Sequence, residues 1–498
     1  MDTTNQTLET TGPATATLSV GDSLSPITVI GTEAIRESFG AQTFQQAINC
    51  RLAPGVSRVV LNPDAHVGYG APVGCVMVSP THVYPGPVGV DIKCSMSLLQ
   101  TDLPAEAIED HTVRRQLIKA IAKRVPTGAG RGQRNVPKGR SVDGALGFRV
   151  ATEGASKMVL KKLGIPKSWA GRCEDSAHTA LDGTADPLAA RLEWMGRDRD
   201  KLDRIESKYR QLGSYGGGNH FGEAEVVEVS QDPQARQVAE QIGLRHGHVA
   251  FLSHCGSRGF GHDLAMGQFR AMKSSFLKSG LAFPAGDPQL VYAEVNSPAG
   301  QHYLSDMAMG ANFATVNHLL INALVLESFR DVFPGIRGEL VYFISHNIVR
   351  HEPIDGQMQW VHRKGATRAL PAGHSQLIGT DFEHTGHPIL LPGNPRDGSS
   401  VMVARPGAER AAFSVNHGAG RQMSRTKAKK NLSQSNVDED LLKHDVISNC
   451  RVYPRDEAPD AYKDFEEVLR SVTQADLAVE VARLKAKFVL KDGAPADD

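Results

Sequence analysis

The chain has 498 residues, of which 40% are hydrophobic, so it is long enough to bury a large core. Its 55 basic and 55 acidic residues give a formal net charge of +0, which argues against a protein that coats nucleic acid through charge alone. Six cysteines without paired spacing argue against a disulfide scaffold and favour a reducing compartment.

The first half of the chain is predicted to pass from a tail into strands and then into helices. Residues 1–25 are rich in threonine and serine, which indicates a loose tail. Residues 57–80 alternate apolar runs with glycine turns, a pattern typical of strands. Residues 104–124 carry apolar side chains at helical spacing. Residues 126–210 hold polar and glycine-rich stretches between helical segments, and we expect this region to be the least regular.

The second half contains two segments with a helical pattern. Residues 311–333 give the clearest one, with an apolar stripe that is predicted to be buried. The stripe consists of Phe313, Val316, Leu319, Leu320, Ala323 and Leu324. Residues 461–488 are predicted to form two helices, interrupted near residues 471–473, where an N-cap is expected.

The segment 414–425 carries the most information about function. His417 stands just before Gly-Ala-Gly, and Arg421 and Arg425 follow it. Glycines let the backbone approach a ligand closely, and arginines bind phosphate through paired donors. An imidazole in this setting can act as a nucleophile toward phosphorus. The alternative is a glycine turn with one exposed histidine.

Five residues in short separate motifs are candidate metal ligands. Asp91 and Cys94 lie in Gly-Val-Asp-Ile-Lys-Cys, and His220 lies in Gly-Gly-Gly-Asn-His-Phe. His254 and His346 each follow an apolar run that ends in serine. Sites in α/β proteins commonly collect where strands run into loops. Three imidazoles, a thiolate and a carboxylate suit manganese, zinc or iron, and a thiolate can bridge two ions.

Each candidate ligand also has an ordinary structural interpretation. A lone histidine at a strand end is often a satisfied polar group, and Cys94 alone fits a small buried hydrophobe. Cys255 adjoins His254 and is a competing thiol. The chain has neither paired CxxC motifs nor HExxH, so spacing alone does not establish a metal site.

Taken together and in order, these motifs resemble those of the RtcB-type RNA ligase family, which seals RNA ends with GTP and manganese. The resemblance runs from about residue 26 to the C-terminus. It rests on Pro-Asp-Ala-His-Val-Gly-Tyr-Gly at 63–70, the motifs at 89–94 and 216–221, His-Cys-Gly-Ser-Arg-Gly at 254–259, Ser-His-Asn at 345–347, His-Arg-Lys-Gly-Ala-Thr-Arg-Ala at 362–369 and His-Gly-Ala-Gly-Arg-Gln-Met-Ser-Arg at 417–425.

The resemblance implies a fold and a domain division. The fold would be α+β, a single catalytic domain with mixed β-sheets surrounded by helices and a metal centre in a central cleft. The catalytic domain would cover residues 26–498 after the tail, with a variable region at 102–210.

The resemblance also implies roles for individual residues. Two manganese ions would be held by Asp91, Cys94, His220, His254 and His346, with Cys94 between them. His417 would take GMP covalently, and Asp64 would lie near the reacting groups. The nucleotide would contact Asn219, Phe221, Glu223, Asn394, Ser399, His417, Gly418, Ala419, Gly420, Arg421, Tyr462 and Lys491.

The loop 392–399 departs from the family pattern, which indicates a divergent member. Asn394 replaces a serine, and Pro395 removes an N–H donor that could bind phosphate. We predict that Arg396 compensates through a side-chain bond to phosphate. The alternative, given equal weight, is that Arg396 pairs with Asp397 or Asp381 at the surface.

The implied activity is a GTP- and manganese-dependent RNA ligase in RNA splicing or repair. It would join a 3′-phosphate or 2′,3′-cyclic phosphate end to a 5′-hydroxyl end through a histidine–GMP intermediate. Two alternatives stay open: a metal-dependent phosphodiesterase or phosphatase without covalent guanylate, and a non-catalytic RNA-binding paralogue. The basic segments 421–430 and 114–140 are candidate RNA contacts, or else solvated charged faces.

The expected partners are the RNA ends and GTP, with an accessory activation protein as a further candidate, and the protein is expected to be a monomer. The N-terminus shows no signal-peptide pattern, and no apolar segment is expected to reach the length of a membrane span. We therefore expect a cytoplasmic protein that does not bind membranes.

Overall fold

The computed structural model describes residues 7–21, 23–132, 134 and 136–493. The strands in these residues are β1 Leu8–Gly12, β2 Thr15–Leu18, β3 Ile27–Ile30, β4 Arg58–His66, β5 Val73–Ser79, β6 His82–Val83, β7 Ser95–Pro104, β8 Phe221–Val229, β9 His248–Cys255, β10 Ala293–Glu294, β11 Gly338–Ser345, β12 Asn347–Ile354, β13 Gln357–Lys364, β14 Ala366–Arg368, β15 Pro388–Asn394, β16 Gly398–Ala404, β17 Ser414–Asn416, β18 Ile447–Ser448 and β19 Ala478–Lys491.

The α-helices are α1 Glu33–Glu37, α2 Ala41–Arg51, α3 His111–Arg124, α4 Gly144–Glu153, α5 Lys157–Leu163, α6 Asp186–Met195, α7 Arg199–Tyr209, α8 Pro233–Gln241, α9 Arg258–Ser279, α10 Pro298–Val332, α11 Arg425–Asn431, α12 Gln434–Lys443 and α13 Phe465–Gln474. The predicted α+β fold with a single domain is confirmed. The predictions of strands at 57–80 and of a helix at 104–124 are also confirmed, by β4, β5 and α3.

Two large mixed sheets organise the molecule. The first runs in the order β1-β2-β3-β4-β5-β13-β12, and among its described strands only the β3–β4 pair is parallel. The second runs β11-β7-β9-β8-β19-β16-β15, with the short β18 added in parallel to β19. The two-stranded sheet β14-β17 leads the chain to His417.

Helix α10 is the central helix of the largest hydrophobic cluster. It is longer than the helix predicted at 311–333, and it packs against α3, α4, α6 and α9. The predicted apolar stripe is buried, but so are almost all other positions from Tyr303 to Phe329. The part that was not predicted, residues 298–310, contains the buried polar residues Ser305 and Asp306, which interrupt the apolar pattern there.

The prediction of a loose tail at residues 1–25 is wrong for most of that segment. Strands β1 and β2 form a hairpin, and β2 pairs with β3 at the edge of the first sheet. Ala14, Ala16 and Leu18 are buried. Threonine is a good strand former, so a threonine-rich stretch with small apolar residues can complete a sheet edge. Residues 1–6 and Asp22 lie outside the described residues.

The prediction of two helices at residues 461–488 is half wrong. Helix α13 ends at Gln474, and its N-cap is Asp464 rather than a residue at 471–473. The chain then forms β19, a central strand that pairs with both β8 and β16. In β19, apolar residues alternate with charged ones, which is the period of a strand rather than of a helix.

Within the described residues, one helix is long and apolar enough to cross a membrane, so the expectation that no segment reaches this length is wrong. This helix is α10, Pro298–Val332. Its most apolar stretch is fully buried inside the protein, as is common for a core helix.

Candidate active site

Four neighbouring strands of the second sheet bring the candidate metal ligands together. Cys94 immediately precedes β7, His220 precedes β8, His254 lies near the end of β9, and His346 follows β11. These strands are adjacent in the order β11-β7-β9-β8, and all four residues lie at the same end of them. Asp91 lies in the turn just before Cys94. The sheet therefore brings residues that are far apart in sequence into one cluster.

The five ligands form two groups that share Cys94. One group is Cys94, His254 and His346, and the other is Asp91, Cys94 and His220; within each group the ligand atoms lie within 4.8 Å of one another. The Cys94 Sγ lies 3.2 Å from His254 Nε2 and 3.4 Å from His220 Nε2. The His254 and His346 Nε2 atoms are 3.3 Å apart. One thiolate between two sets of donors is an arrangement that can hold two ions.

The ring orientations of two histidines suit metal binding. The Nδ1 of His220 lies 2.9 Å from the Tyr215 carbonyl, and the Nδ1 of His254 lies 3.1 Å from the Asn219 carbonyl. A carbonyl can only accept, so each Nδ1 carries a proton and each Nε2 is the atom that faces the cluster. The Nε2 of His220 lies there 2.8 Å from the Asp91 carboxylate. Metal-bound histidines commonly have this carbonyl partner.

Burial sets the charge state of the ligands. It lowers the pKa of His254 and of His346 well below the ordinary value, which keeps both rings neutral. Burial, and then Asp91, raises the pKa of the Cys94 thiol. For Asp91, burial opposes ionisation, but His220 outweighs it and lowers the pKa of the carboxyl. Metal binding would therefore have to release the thiol proton of Cys94.

Cys255, the competing thiol, belongs to neither ligand group among the described residues. Its Sγ lies 3.4 Å from the side-chain nitrogen of Asn317 on α10, within the hydrophobic core. Alternating side chains point to opposite faces of a strand, so Cys255 points away from the face that carries His254.

His417 lies directly beside the cluster. Its ring centroid is 4.6 Å from that of His346. Both its backbone N–H and its Nδ1 contact the Asp64 carboxylate, at 3.1 Å and 2.7 Å from Oδ2. Asp64 is fully buried. Because a carboxylate can only accept, Nδ1 is the donor of this contact, and Nε2 is the ring nitrogen that Asp64 leaves free.

A cavity of about 290 Å³ opens beside His417, and we call it the His417 cavity. The resemblance implies twelve nucleotide-contacting residues, and the structure brings all of them to the cavity wall. They are Asn219, Phe221, Glu223, Asn394, Ser399, His417, Gly418, Ala419, Gly420, Arg421, Tyr462 and Lys491. Their roles as ligand contacts stay predictions. Burial raises the pKa of Glu223 to about 7.

Sequence reasoning missed Glu457, which is the centre of the polar wall of the cavity. Its carboxylate accepts from the Tyr462 hydroxyl at 2.8 Å and from the Lys491 ammonium at 2.9 Å. Arg421 lies 3.4 Å from it, and Arg425 also pairs with it. No signal in the sequence singles out Glu457, because cations assigned to a nucleotide site can be balanced by the phosphates of the nucleotide. His66, Val73, Tyr453 and Val489 also line the cavity.

The divergent segment 392–399 comprises the end of β15, the turn at residues 395–397 and the start of β16. The side chain of Asn394 caps this turn, accepting from the backbone N–H groups of Arg396 and Asp397 at 3.0 Å each. Arg396 is absent from the cavity wall. Its guanidinium pairs with Asp397, Asp440 and Asp460 at 3.2, 3.4 and 2.9 Å. The structure therefore favours the surface-pair alternative, although Asp381 pairs with another residue, Arg172.

The two basic segments differ in their surroundings. In 421–430, Arg421 and Arg425 line the cavity, and Lys429 lies 3.6 Å from Asp456. In 114–140, Arg114 is buried and pairs with Asp445, so this residue is a structural one rather than an RNA contact. Gln133, Asn135 and the side chain of Lys138 lie outside the described residues.

Comparison with known proteins supplies independent evidence. The family model described as "tRNA-splicing ligase RtcB" matches residues 46–492. The chain is 34% identical to the tRNA-splicing ligase RtcB of Nanoarchaeum equitans over 476 residues, which cover 90% of this chain and 91% of that protein. It is 34% identical to the tRNA-splicing ligase RtcB of Thermococcus kodakarensis, with the same shares covered. It is 35% identical to the RNA-splicing ligase RtcB of Mycobacterium tuberculosis, over 88% of this chain and 98% of that one.

Proposed function

Because the chain belongs to the tRNA-splicing ligase RtcB family and is an RNA ligase, we propose that it joins a 3′-phosphate or 2′,3′-cyclic phosphate RNA end to a 5′-hydroxyl end. It does so with GTP and two manganese ions, through a guanylate held on His417. The reaction serves RNA splicing or RNA repair. The monomeric state, the cytoplasmic location and the need for an accessory protein stay predictions.

The observation that carries this proposal is the position of His417. Its ring packs against His346 of one ligand group, and the same side chain lines the cavity. A phosphate chain bound between the cavity and the ligand groups would therefore pass next to Nε2. Such a position is the one that a nucleophile toward a metal-bound phosphate requires.

Asp64 prepares His417 for attack. Its buried carboxylate accepts the Nδ1 proton and fixes the ring, so Nε2 is the nitrogen left to act as the nucleophile. Gly420 allows this approach, because a Cβ at that position would lie 2.4 Å from the Asp64 carbonyl oxygen. Gly420 also has φ +74°, which only glycine adopts readily.

The donor set fits a borderline transition metal better than calcium or magnesium, because it contains a thiol and three imidazoles. One ion would be held by Cys94, His254 and His346, and the other by Asp91, Cys94 and His220. When bound, the ions would neutralise phosphate charge and align the leaving group. The choice of manganese comes from the family.

The proposed reaction has three balanced steps. His417 Nε2 forms a bond to the α-phosphorus of GTP, and pyrophosphate leaves. An oxygen of the RNA 3′-phosphate then takes the GMP, which breaks the bond to His417; a cyclic end is first opened by water. Finally the 5′-hydroxyl attacks the activated 3′-phosphorus, loses its proton and displaces GMP. Arg421 and Lys491 line the cavity where they can bind phosphate.

A sealing assay tests the proposal. The protein is incubated with an RNA that ends in a labelled 3′-phosphate and a second RNA with a 5′-hydroxyl, with GTP or manganese each left out in turn. We expect a joined product only when both are present. Hydrolysis of the phosphate without joining would support the phosphodiesterase or phosphatase alternative, and binding without either reaction would support the non-catalytic one.

A further inference from the structure

The segment around Asp64 has an unusual backbone. The pairing of β4 with β5 is interrupted between Leu61 and His66, so the residues around Asp64 lack the regular partner strand. Buried carbonyl groups in such an interruption need donors from elsewhere. The donor for two of them is a single lysine ammonium, that of Lys463.

Lys463 contacts the chain on both sides of Asp64. Its Nζ donates to the carbonyl of Pro63 at 3.0 Å and to that of Ala65 at 2.8 Å. The residue is only 4% exposed, and its ammonium lies 4.3 Å from the centre of the Phe39 ring. Burial lowers the pKa of Lys463 to about 7, whereas the charge of Asp64 opposes this shift.

The backbone of Lys463 contacts the glycine loop that follows His417, the residue paired with Asp64. Its N–H donates to the carbonyl of Gly420 at 2.9 Å, three residues after His417. Lys463 also lies between Tyr462, which lines the cavity, and Asp464, which caps helix α13. One residue anchored at the start of a helix thus contacts both the segment that carries the carboxylate and the loop that carries the histidine.

We propose that Lys463 is a positioning residue that holds Asp64 and His417 in the geometry needed for attack on the nucleotide. Its side chain fixes the backbone on either side of Asp64, and its backbone fixes the glycine loop after His417. The proposal rests on the proposed function, because it assigns the purpose of this geometry to guanylate transfer.

The experiment compares Lys463→Met, Lys463→Arg and Lys487→Met. Methionine keeps the length of the side chain without donors, and arginine can still donate to two carbonyls. Lys487 is the matched control, since it pairs with Asp445 at 2.9 Å and is absent from the cavity wall. Thermal unfolding and metal analysis identify any variant that has lost its fold or its ions.

The first readout is labelling by α-phosphate-labelled GTP. For Lys463→Met we expect the maximal labelling rate to fall on the order of 100-fold, because His417 would no longer be held in the orientation that attack on the phosphorus requires. The half-saturating GTP concentration should change less than about 3-fold, since the residues that line the cavity are all retained. Lys463→Arg should recover much of the rate, and Lys487→Met should match the wild type. A wild-type rate in Lys463→Met would overturn the proposal, and so would a folded Lys463→Arg without recovery.

The second readout does not depend on activity. The imidazole N–H proton of His417 that faces Asp64 should give a downfield NMR signal, identified by its absence in His417→Ala. We expect Lys463→Met to shift or broaden this signal while Lys487→Met preserves it. An unchanged signal would overturn the positioning role. A wild-type protein that takes no label would instead contradict the proposed function, and the NMR signal would still decide the role of Lys463.

Discussion

Cys94 is the one side chain shared by the two ligand groups of the candidate metal centre. We predict that Cys94→Ala removes more metal than any single histidine substitution, because one change takes a ligand from both positions. The measurement is metal content per chain after loading with manganese and gel filtration. Cys255→Ala is the matched control, since it removes a buried thiol one residue from His254 without touching either group. Two ions still bound to Cys94→Ala would rule out the shared role.

Glu352, in β12, belongs to a buried charge network. It contacts Arg363 at 2.7 Å and Arg368 at 3.4 Å, and all three are buried. Burial opposes its ionisation, but Arg363 and Arg368 outweigh burial and lower the pKa of Glu352 to about 2. A carboxyl whose pKa falls on folding stabilises the protein above its unfolded pKa of about 4.3, and the benefit is lost as pH falls toward 2.

We predict that Glu352→Gln lowers the free energy of unfolding by about 3 kcal/mol at pH 7, because buried Arg363 loses its carboxylate partner while Arg368 keeps only Glu174. The difference from the wild type should shrink as the pH falls from about 4.3 toward 2. Urea unfolding at several pH values measures it. Asp355→Asn, which breaks the exposed pair with Arg58, should cost less than about 1 kcal/mol. A difference that stays constant with pH would show that the charge of Glu352 has no such role.

The candidate metal ligands could be predicted from the sequence, but the residues that contact and position the site, Glu457 and Lys463, could not. Cys94, His220 and His346 stand next to strands, where chemistry-bearing residues commonly gather, and they could be named from local pattern. Glu457 contacts Lys491 at the far end of β19, and Lys463 contacts Pro63, which lies 400 residues earlier in the chain. No local pattern encodes such contacts, so only the structure shows them.

At the scale of elements, the turn between β15 and β16 separates two roles. Asn394 lines the cavity, whereas Arg396 pairs with three carboxylates outside its wall. We now predict that Arg396→Ala changes the rate of GTP labelling by less than about 5-fold, since partly exposed ion pairs contribute roughly 0.2–1 kcal/mol. Asn394→Ala is the comparison, and it should reduce labelling more. A larger loss of labelling rate in Arg396→Ala, at limiting GTP, would instead support a direct bond from Arg396 to phosphate.

The elements that were predicted wrongly share a physical cause. In β19, partly exposed charged residues alternate with buried apolar ones in a central strand, within the segment 461–488 that is predicted to be helical. In α10, burial on every side removed the polar face that usually marks a helix. Packing against other elements determines the structure of both β19 and α10, and local sequence patterns do not show which elements will pack together.

At the scale of the whole molecule, the N-terminal hairpin closes one edge of the first sheet. Its β2 strand covers β3, and Leu18 is buried. We predict that deleting residues 1–18 lowers the thermal unfolding temperature, because it exposes the edge of β3 and removes apolar burial of about 1.5–3 kcal/mol at Leu18 alone. Differential scanning calorimetry of the truncated and full chains measures the change. Identical unfolding temperatures would show that this segment does not stabilise the fold, as expected of a loose tail.

The central claim is that His417 forms the covalent bond to GMP, and GTP labelling of the wild type beside His417→Ala tests it most directly. Each protein is loaded with manganese, incubated with α-phosphate-labelled GTP and separated under denaturing conditions. His262→Ala, which changes a half-exposed histidine away from the cavity wall, is the control. We predict a labelled band for the wild type and for His262→Ala, and none for His417→Ala at equal metal content. A labelled band that persists in His417→Ala would contradict the account.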